Sequence, residues 1–194
     1  MGRMGASNLA EIASTAARMV VDEGMEYAQA KRKAARTLGR RAELPSNEQV
    51  EDEVRSYLGL FCADTQPGEL RALRELALRW MQRLAEFRPH LSGAVWRGTA
   101  TRLSAVHIDL YCDDPKSAEI ALINLGVDYD ASGDDEVHFL SVAEFCPALG
   151  EPVTLFLAVR DLDDQRGALK PDARGRSWRG DAAALQRLLQ AGDA

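Results

Sequence analysis

In the first half of the chain apolar residues recur at helical intervals; in the second half they alternate. Leu9, Ile12, Ala13, Ala16, Met19 and Val20 share one side of a helix that the sequence starts at Ser7 and stops at Gly24. A second helix covers residues 25–38 and closes on Gly39. Ser46 and Gln49 form a capping-box pattern ahead of Val50, Val54, Tyr57, Leu58 and Phe61, which predicts an amphipathic third helix. Leu70, Leu73, Leu76, Ala77, Trp80, Met81 and Leu84 line one face of a fourth, which begins near Pro67 and ends before Pro89.

From Leu91 onward the period drops to two. Val106, Ile108, Leu110 and Cys112 point one way along a strand while His107, Asp109 and Tyr111 point the other, so one side is core and the other is a site or solvent. Asp114 and Pro115 open a helix that reaches Gly126, strand-like runs follow at 127–129, 136–145 and 153–159, and a last helix at 181–189 buries Leu185, Leu188 and Leu189. The expectation is an α+β protein in which a helical bundle, residues 7–88, packs on a mixed-sheet domain, residues 89–194.

Composition changes this picture little. The 194 residues are 46% hydrophobic and 28% charged, ordinary for a folded globular chain. Charge excludes one class: with 24 Lys and Arg against 30 Asp and Glu, net -6, the chain is no general nucleic-acid coat, because phosphate binding needs a basic face. Cys62, Cys112 and Cys146 are far apart and show no metal or disulfide spacing. With no signal-like apolar run and no apolar stretch of membrane-spanning length, the expectation is a cytoplasmic protein with no membrane contact.

The candidate chemistry lies in residues 94–110. Ala94-Val95-Trp96-Arg97 reads as a strand, Gly98-Thr99 as a tight turn, and His107-Ile108-Asp109-Leu110 as a strand carrying polar groups two apart. This order resembles the nucleotidyltransferase fold, the DNA-polymerase-beta-like superfamily, over residues 89–160. It also looks like a group of uncharacterised bacterial proteins with a helical N-terminal half. The resemblance implies a nucleotidyltransferase-like second domain in which Gly98, Thr99 and Arg102 bind nucleotide, Asp109 holds Mg²⁺ (Mn²⁺ as the alternative), and His107 ligates weakly or acts as acid or base. No organic cofactor is implied.

Physical chemistry explains the motif and exposes its damage. Backbone N–H groups at a glycine turn approach phosphate oxygens, and carboxylates at i and i+2 on one strand share divalent ions. Here His107 occupies the place of one carboxylate, and imidazole is a poor ligand for a hard ion. The run 153–159 supplies no third acid, which leaves Glu144 and Asp161 as substitutes. A transition-metal site of His107, Asp109 and His138 is a further alternative.

Two readings follow: a metal-dependent nucleotidyltransferase acting on a nucleotide or nucleic-acid end, or a catalytically degenerate module of that fold binding RNA or a protein partner. Basic clusters bear on both. Lys31, Arg32, Lys33, Arg36, Arg40 and Arg41 form a run without an acid; Arg71, Arg74, Arg79 and Arg83 oppose the apolar stripe of the fourth helix and read as solvated. Lys170, Arg174, Arg176 and Arg179 precede the last helix, placed either to clamp phosphate or to pair with Asp161, Asp163, Asp164 and Asp172, with Trp178 beside them to stack on a base or pack on the sheet.

Overall fold

The computed structural model describes residues 2–39, 43–133, 138–167, 170–172 and 174–192. Arg40 and Arg41 of the basic run, and the start of the strand expected at residue 136, lie outside them. The chain divides into two compact units, Met1–Pro67 and Gly68–Ala194. The junction expected at residues 88–89 therefore falls inside the second unit.

The first unit contains helices α1 (Gly2–Glu23), α2 (Tyr27–Thr37) and α3 (Asn47–Phe61). Helix α1 begins before Ser7, which is not its cap. The capping box of α3 forms as its sequence predicts: Ser46 Oγ accepts the Gln49 N–H at 3.1 Å and Gln49 Oε1 accepts the Ser46 N–H at 2.8 Å. Ile12, Ala13, Ala16 and Ala17 of α1 pack with Ala30 and Ala34 of α2 and with Val50, Val54 and Leu58 of α3. The many alanines let these helices approach closely, at little cost in side-chain entropy.

The second unit holds nearly all of α4 (Gln66–Arg83), a 3₁₀ turn at Ala85–Phe87, β1 (His90–Ser92), α5 (Gly93–Arg97), β2 (Val106–Tyr111) and α6 (Pro115–Asn124). Then come β3 (Asp130–Gly133), β4 (His138–Cys146), β5 (Glu151–Arg160), a 3₁₀ segment at Leu162–Gly167, β6 (Arg179–Asp181) and α7 (Ala182–Ala191). Among the described residues six strands make one mixed sheet in the order β3-β4-β5-β2-β1-β6. Only the central β2–β5 pair is parallel, Asp109 facing Ala158 and Tyr111 facing Arg160; the other pairs are antiparallel.

The alternation read from β2 holds. Val106, Ile108 and Leu110 join Leu140, Val142, Leu155, Leu157 and Val159 in a core completed by Leu73, Leu76, Trp80 and Met81 of α4, Leu122 of α6 and Leu185 of α7. Each fully buried aliphatic side chain contributes about 1.5–3 kcal/mol relative to exposure. Helix α4 thus gives its apolar stripe to the sheet's own core. The protein is a mixed α/β chain with a six-stranded sheet, and no helix among the described residues is long and apolar enough to cross a membrane.

Two further local expectations fail. Residues 94–97 are helical, not a strand: Val95 and Trp96 have strand-forming side chains, but the segment lies between Gly93 and Gly98, and the Thr99 N–H closes on the Ala94 carbonyl at 3.0 Å. Residues 127–129 form no strand; β3 starts one residue later. Strands β1 and β6 were invisible in the sequence because three residues carry no readable period.

Candidate functional site

The turn at Gly98 is built from behind. Arg74 of α4, read as a solvated cation, is buried and donates from Nε to the Val95 carbonyl at 3.1 Å and from Nη2 to the Trp96 carbonyl at 3.4 Å. A guanidinium at a helix C-terminus satisfies carbonyls that the helix leaves open and offsets their partial negative charge. Gly98 then reverses the chain at φ 82°, a left-handed conformation that favours glycine. Thr99 is 2% exposed. In this arrangement Gly98 terminates α5 and the Thr99 amide is bonded within the turn, so neither presents a free N–H cradle to a phosphate.

Arg102 lies elsewhere. Its backbone N–H donates to Glu69 Oε2 at 2.9 Å and its Nε to Glu151 Oε1 at 2.8 Å. Glu151 begins β5, whereas Asp109 pairs with Ala158, seven residues and about 23 Å further along that strand. The structure does not bring Arg102 to Asp109.

Asp109 is the centre of the polar side of the sheet, and it is 3% exposed. Arg160, the last residue of β5, donates from Nε to Asp109 Oδ1 at 2.7 Å. Arg179 of β6 places its Nε 2.9 Å from Oδ2. His90, opposite Asp109 on β1, donates from Nδ1 to the Arg88 carbonyl at 2.8 Å and meets the Tyr111 ring edge-on with centroids 5.3 Å apart. Arg179 Nη1 also reaches the Tyr111 hydroxyl at 3.5 Å. Burial pushes that hydroxyl above its ordinary pKa, and the Asp109 charge adds to the effect, so Tyr111 stays a neutral phenol.

The remaining candidates do not gather at Asp109. His107 stacks on Phe156 of β5, centroids 5.3 Å apart and planes 24° from parallel. Glu144 sits on β4 five residues, about 17 Å, beyond Phe139, the residue level with Ala158 and Asp109. His138 pairs with Val159 and so has the parity of the core side, opposite to His107. The proposed three-residue metal site of His107, Asp109 and His138 is therefore not assembled, and no group of three or more His, Cys, Asp or Glu among the described residues could hold a metal ion.

These residues do not fit Mg²⁺ either. A divalent cation at Asp109 would have to displace two guanidiniums from one carboxylate and would then lie beside both positive charges, with no second acid on the strand to offset it. Asp164, in the 3₁₀ segment after β5, adds a further negative charge near Arg160. No family model matches the chain, and a search of curated proteins finds no match.

A second charged cluster adjoins the first through β6. Asp172 accepts the N–H groups of Arg174 at 2.9 Å and Arg176 at 2.8 Å, and an isolated bridge joins Pro171 to Ser177, closing a tight loop. The Arg97 guanidinium of α5 lies 3.5 Å from Asp172 Oδ2 and 4.1 Å over the Trp178 ring; Arg176 Nε lies 3.4 Å from the same oxygen. The amide of Arg176, then that of Arg174, with both guanidiniums behind them, hold the Asp172 carboxyl below the ordinary carboxylate range despite its burial. Trp178 meets a cation here, which neither sequence expectation for it included.

The basic run of the first unit is partly committed to structure. Lys31 Nζ donates to the Pro45 carbonyl at 3.1 Å and Asn47 Oδ1 at 2.8 Å, and Lys33 pairs with Glu23. Sequence reasoning missed Arg97, Arg160, His90 and the role of Arg74. Arg160 had a signal, a cation in phase with Phe156 and Ala158 at the end of the β5 run, but that run was read for acids.

Proposed function

We propose that the second unit is a nucleotidyltransferase-like domain that binds the phosphate of a nucleotide or nucleic-acid end without a metal ion, and that it does not transfer a nucleotidyl group. The observation that carries this reading is Asp109 held between Arg160 and Arg179. Of the family resemblance, the Gly-Thr turn followed by an Asp-bearing strand remains, although the segment before the turn is helical where the motif has a strand. The charge at that strand supports anion binding in place of metal binding. Two guanidiniums on one carboxylate leave a surplus positive charge, and each carries five N–H donors, of which Nε alone faces Asp109 in the contacts described. Both side chains remain partly open to solvent, where a phosphate oxygen can meet them.

Asp109→Asn separates this reading from catalysis by the sign of its effect. Losing the carboxylate charge frees both arginines, so pyrophosphate and ATP should bind the variant several-fold more tightly by calorimetry, equally with EDTA or Mg²⁺. Arg160→Gln and Arg179→Gln should each weaken binding about tenfold, the worth of one charge-assisted hydrogen bond. Mg²⁺- or Mn²⁺-dependent transfer of label from an NTP to RNA or protein, abolished in Asp109→Asn, would overturn the proposal.

A further inference from the structure

Trp178 is an exposed aromatic on a rigid mount. Its relative exposure is 41%, yet every support beneath it is buried or bonded. Arg97, whose side chain is 7% exposed, covers one face of the indole at 4.1 Å. Asp172, 3% exposed, fixes Arg97 and is itself fixed by two backbone amides. Ser177, the preceding residue, accepts the Trp96 indole N–H on its carbonyl at 2.9 Å. Arg179, the following residue, is paired in register with Ser92 and in charge with Asp109.

We infer that the outer face of Trp178 is a stacking surface for the base of a nucleotide or nucleic-acid end, with the phosphate taken by the arginines of the same segment. This rests on the phosphate-binding reading above and names the part of the ligand that reading leaves open. Three features lead to it. The ring is flat and exposed, and its other face is polarised by a guanidinium, which suits an electron-rich planar ring on the free side. Arg174, Arg176 and Arg179 lie within five residues of one another in sequence, so a ligand on Trp178 meets a local excess of positive charge although the chain is acidic as a whole. The mount is ordered before binding, so stacking forfeits little side-chain entropy. A lid over the Arg97–Asp172 pair would account for the covered face alone; the uncovered face is what a base needs.

Tryptophan fluorescence tests this in the intact protein. Trp80 is 1% exposed and Trp96 is partly buried, so the loss of quench in a Trp178 variant is what assigns the signal to Trp178. ATP and a 5′-phosphorylated oligouridylate should quench emission, pyrophosphate should bind without quenching, and Trp178→Phe should lose most of the quench. Trp178→Leu should weaken ATP about tenfold, as loss of one stacked base does, and leave pyrophosphate unchanged. The tighter of ATP and oligouridylate identifies the source as free nucleotide or strand end. Equal affinity for ATP and pyrophosphate with no quench would overturn the stacking inference and leave the phosphate reading standing. Failure of pyrophosphate, ATP and oligouridylate alike to bind would overturn both.

Discussion

The Nε of Arg179 stands 2.9 Å from Oδ2 of Asp109 although β1 separates their two strands in the sheet. The arginine reaches over Ser92 and His90 to do so, because β6 and β2 both pair with β1 and their side chains at this level share one side. The same carboxylate receives Arg160 from the other flank. Removing its charge leaves two cations crowded beside Tyr111. Asp109→Asn should lower unfolding free energy by about 1–3 kcal/mol, less than for a fully buried pair because the arginines are partly solvated. Urea denaturation measures it, and an unchanged midpoint would show that the ion pairs contribute nothing.

Gly180 has a packing reason to lack a side chain. A Cβ built there lies 2.0 Å from Trp96 Cη2 and 2.1 Å from Cζ3, and the indole is tethered by its N–H to Ser177. Gly180→Ala should destabilise by at least the ~1–3 kcal/mol typical of overpacking. Trp96→Phe in the same background should recover part of that loss in thermal melts, since the shorter ring vacates the clashing positions.

Arg74→Met keeps an unbranched apolar stem as far as the Nε position and removes both donors to α5. Two carbonyls then lose their buried partner, at about 1–3 kcal/mol in all. Hydrogen exchange should quicken first at the Thr99 amide, whose bond to the Ala94 carbonyl closes that turn. Uniform loss of protection across α4 would instead mean that Arg74 serves the core as a whole.

Acid should release the Asp172 loop. The carboxyl is depressed in the folded protein, so its stabilisation is fully present above the ordinary carboxylate pKa of about 4 and disappears as pH falls through the folded value. Emission of Trp178, which rests on Arg97 through Asp172, should therefore change below about pH 4. Asp172→Asn should show the altered emission at neutral pH and no acid step. An acid step that survives in that variant would assign the change to other carboxylates.

Cys112 should alkylate slowly. Burial pushes its thiol pKa up, and the carboxylates of Asp114, Asp113 and Asp161 add to the shift, so little thiolate exists at neutral pH. Mass spectrometry after iodoacetamide at pH 8 should find it lagging behind a free model thiol at equal concentration. Matching rates would contradict the shift.

What the sequence revealed was local. Helix α3 could be read because Ser46 and Gln49 announce its start within four residues, and β2 because alternation continues from Val106 to Cys112. Helix α5 was misread because its carbonyls are capped by Arg74, some twenty residues away, and Val95 and Trp96 alone favour a strand. The apolar stripe of α4 was plain, but a stripe does not state which core receives it. At the candidate site Asp109 was found and Arg179 was singled out as a cation of the last loop, but their pairing, and Arg160 altogether, were not: the two arginines come from positions 51 and 70 residues further on, joined to Asp109 only by strand order. The expected carboxylate partners of Asp109 proved to be cations, a change of sign that alternation cannot report.

Strand β6 is held by three register positions against β1, and its last residue, Asp181, caps α7 through the Ala184 N–H at 2.7 Å. The Arg179 bond to Asp109 is thus a rivet through the margin of the sheet. Strand β6 and the first turn of α7 are thereby fastened to the middle of the sheet by side-chain charge as well as by backbone register.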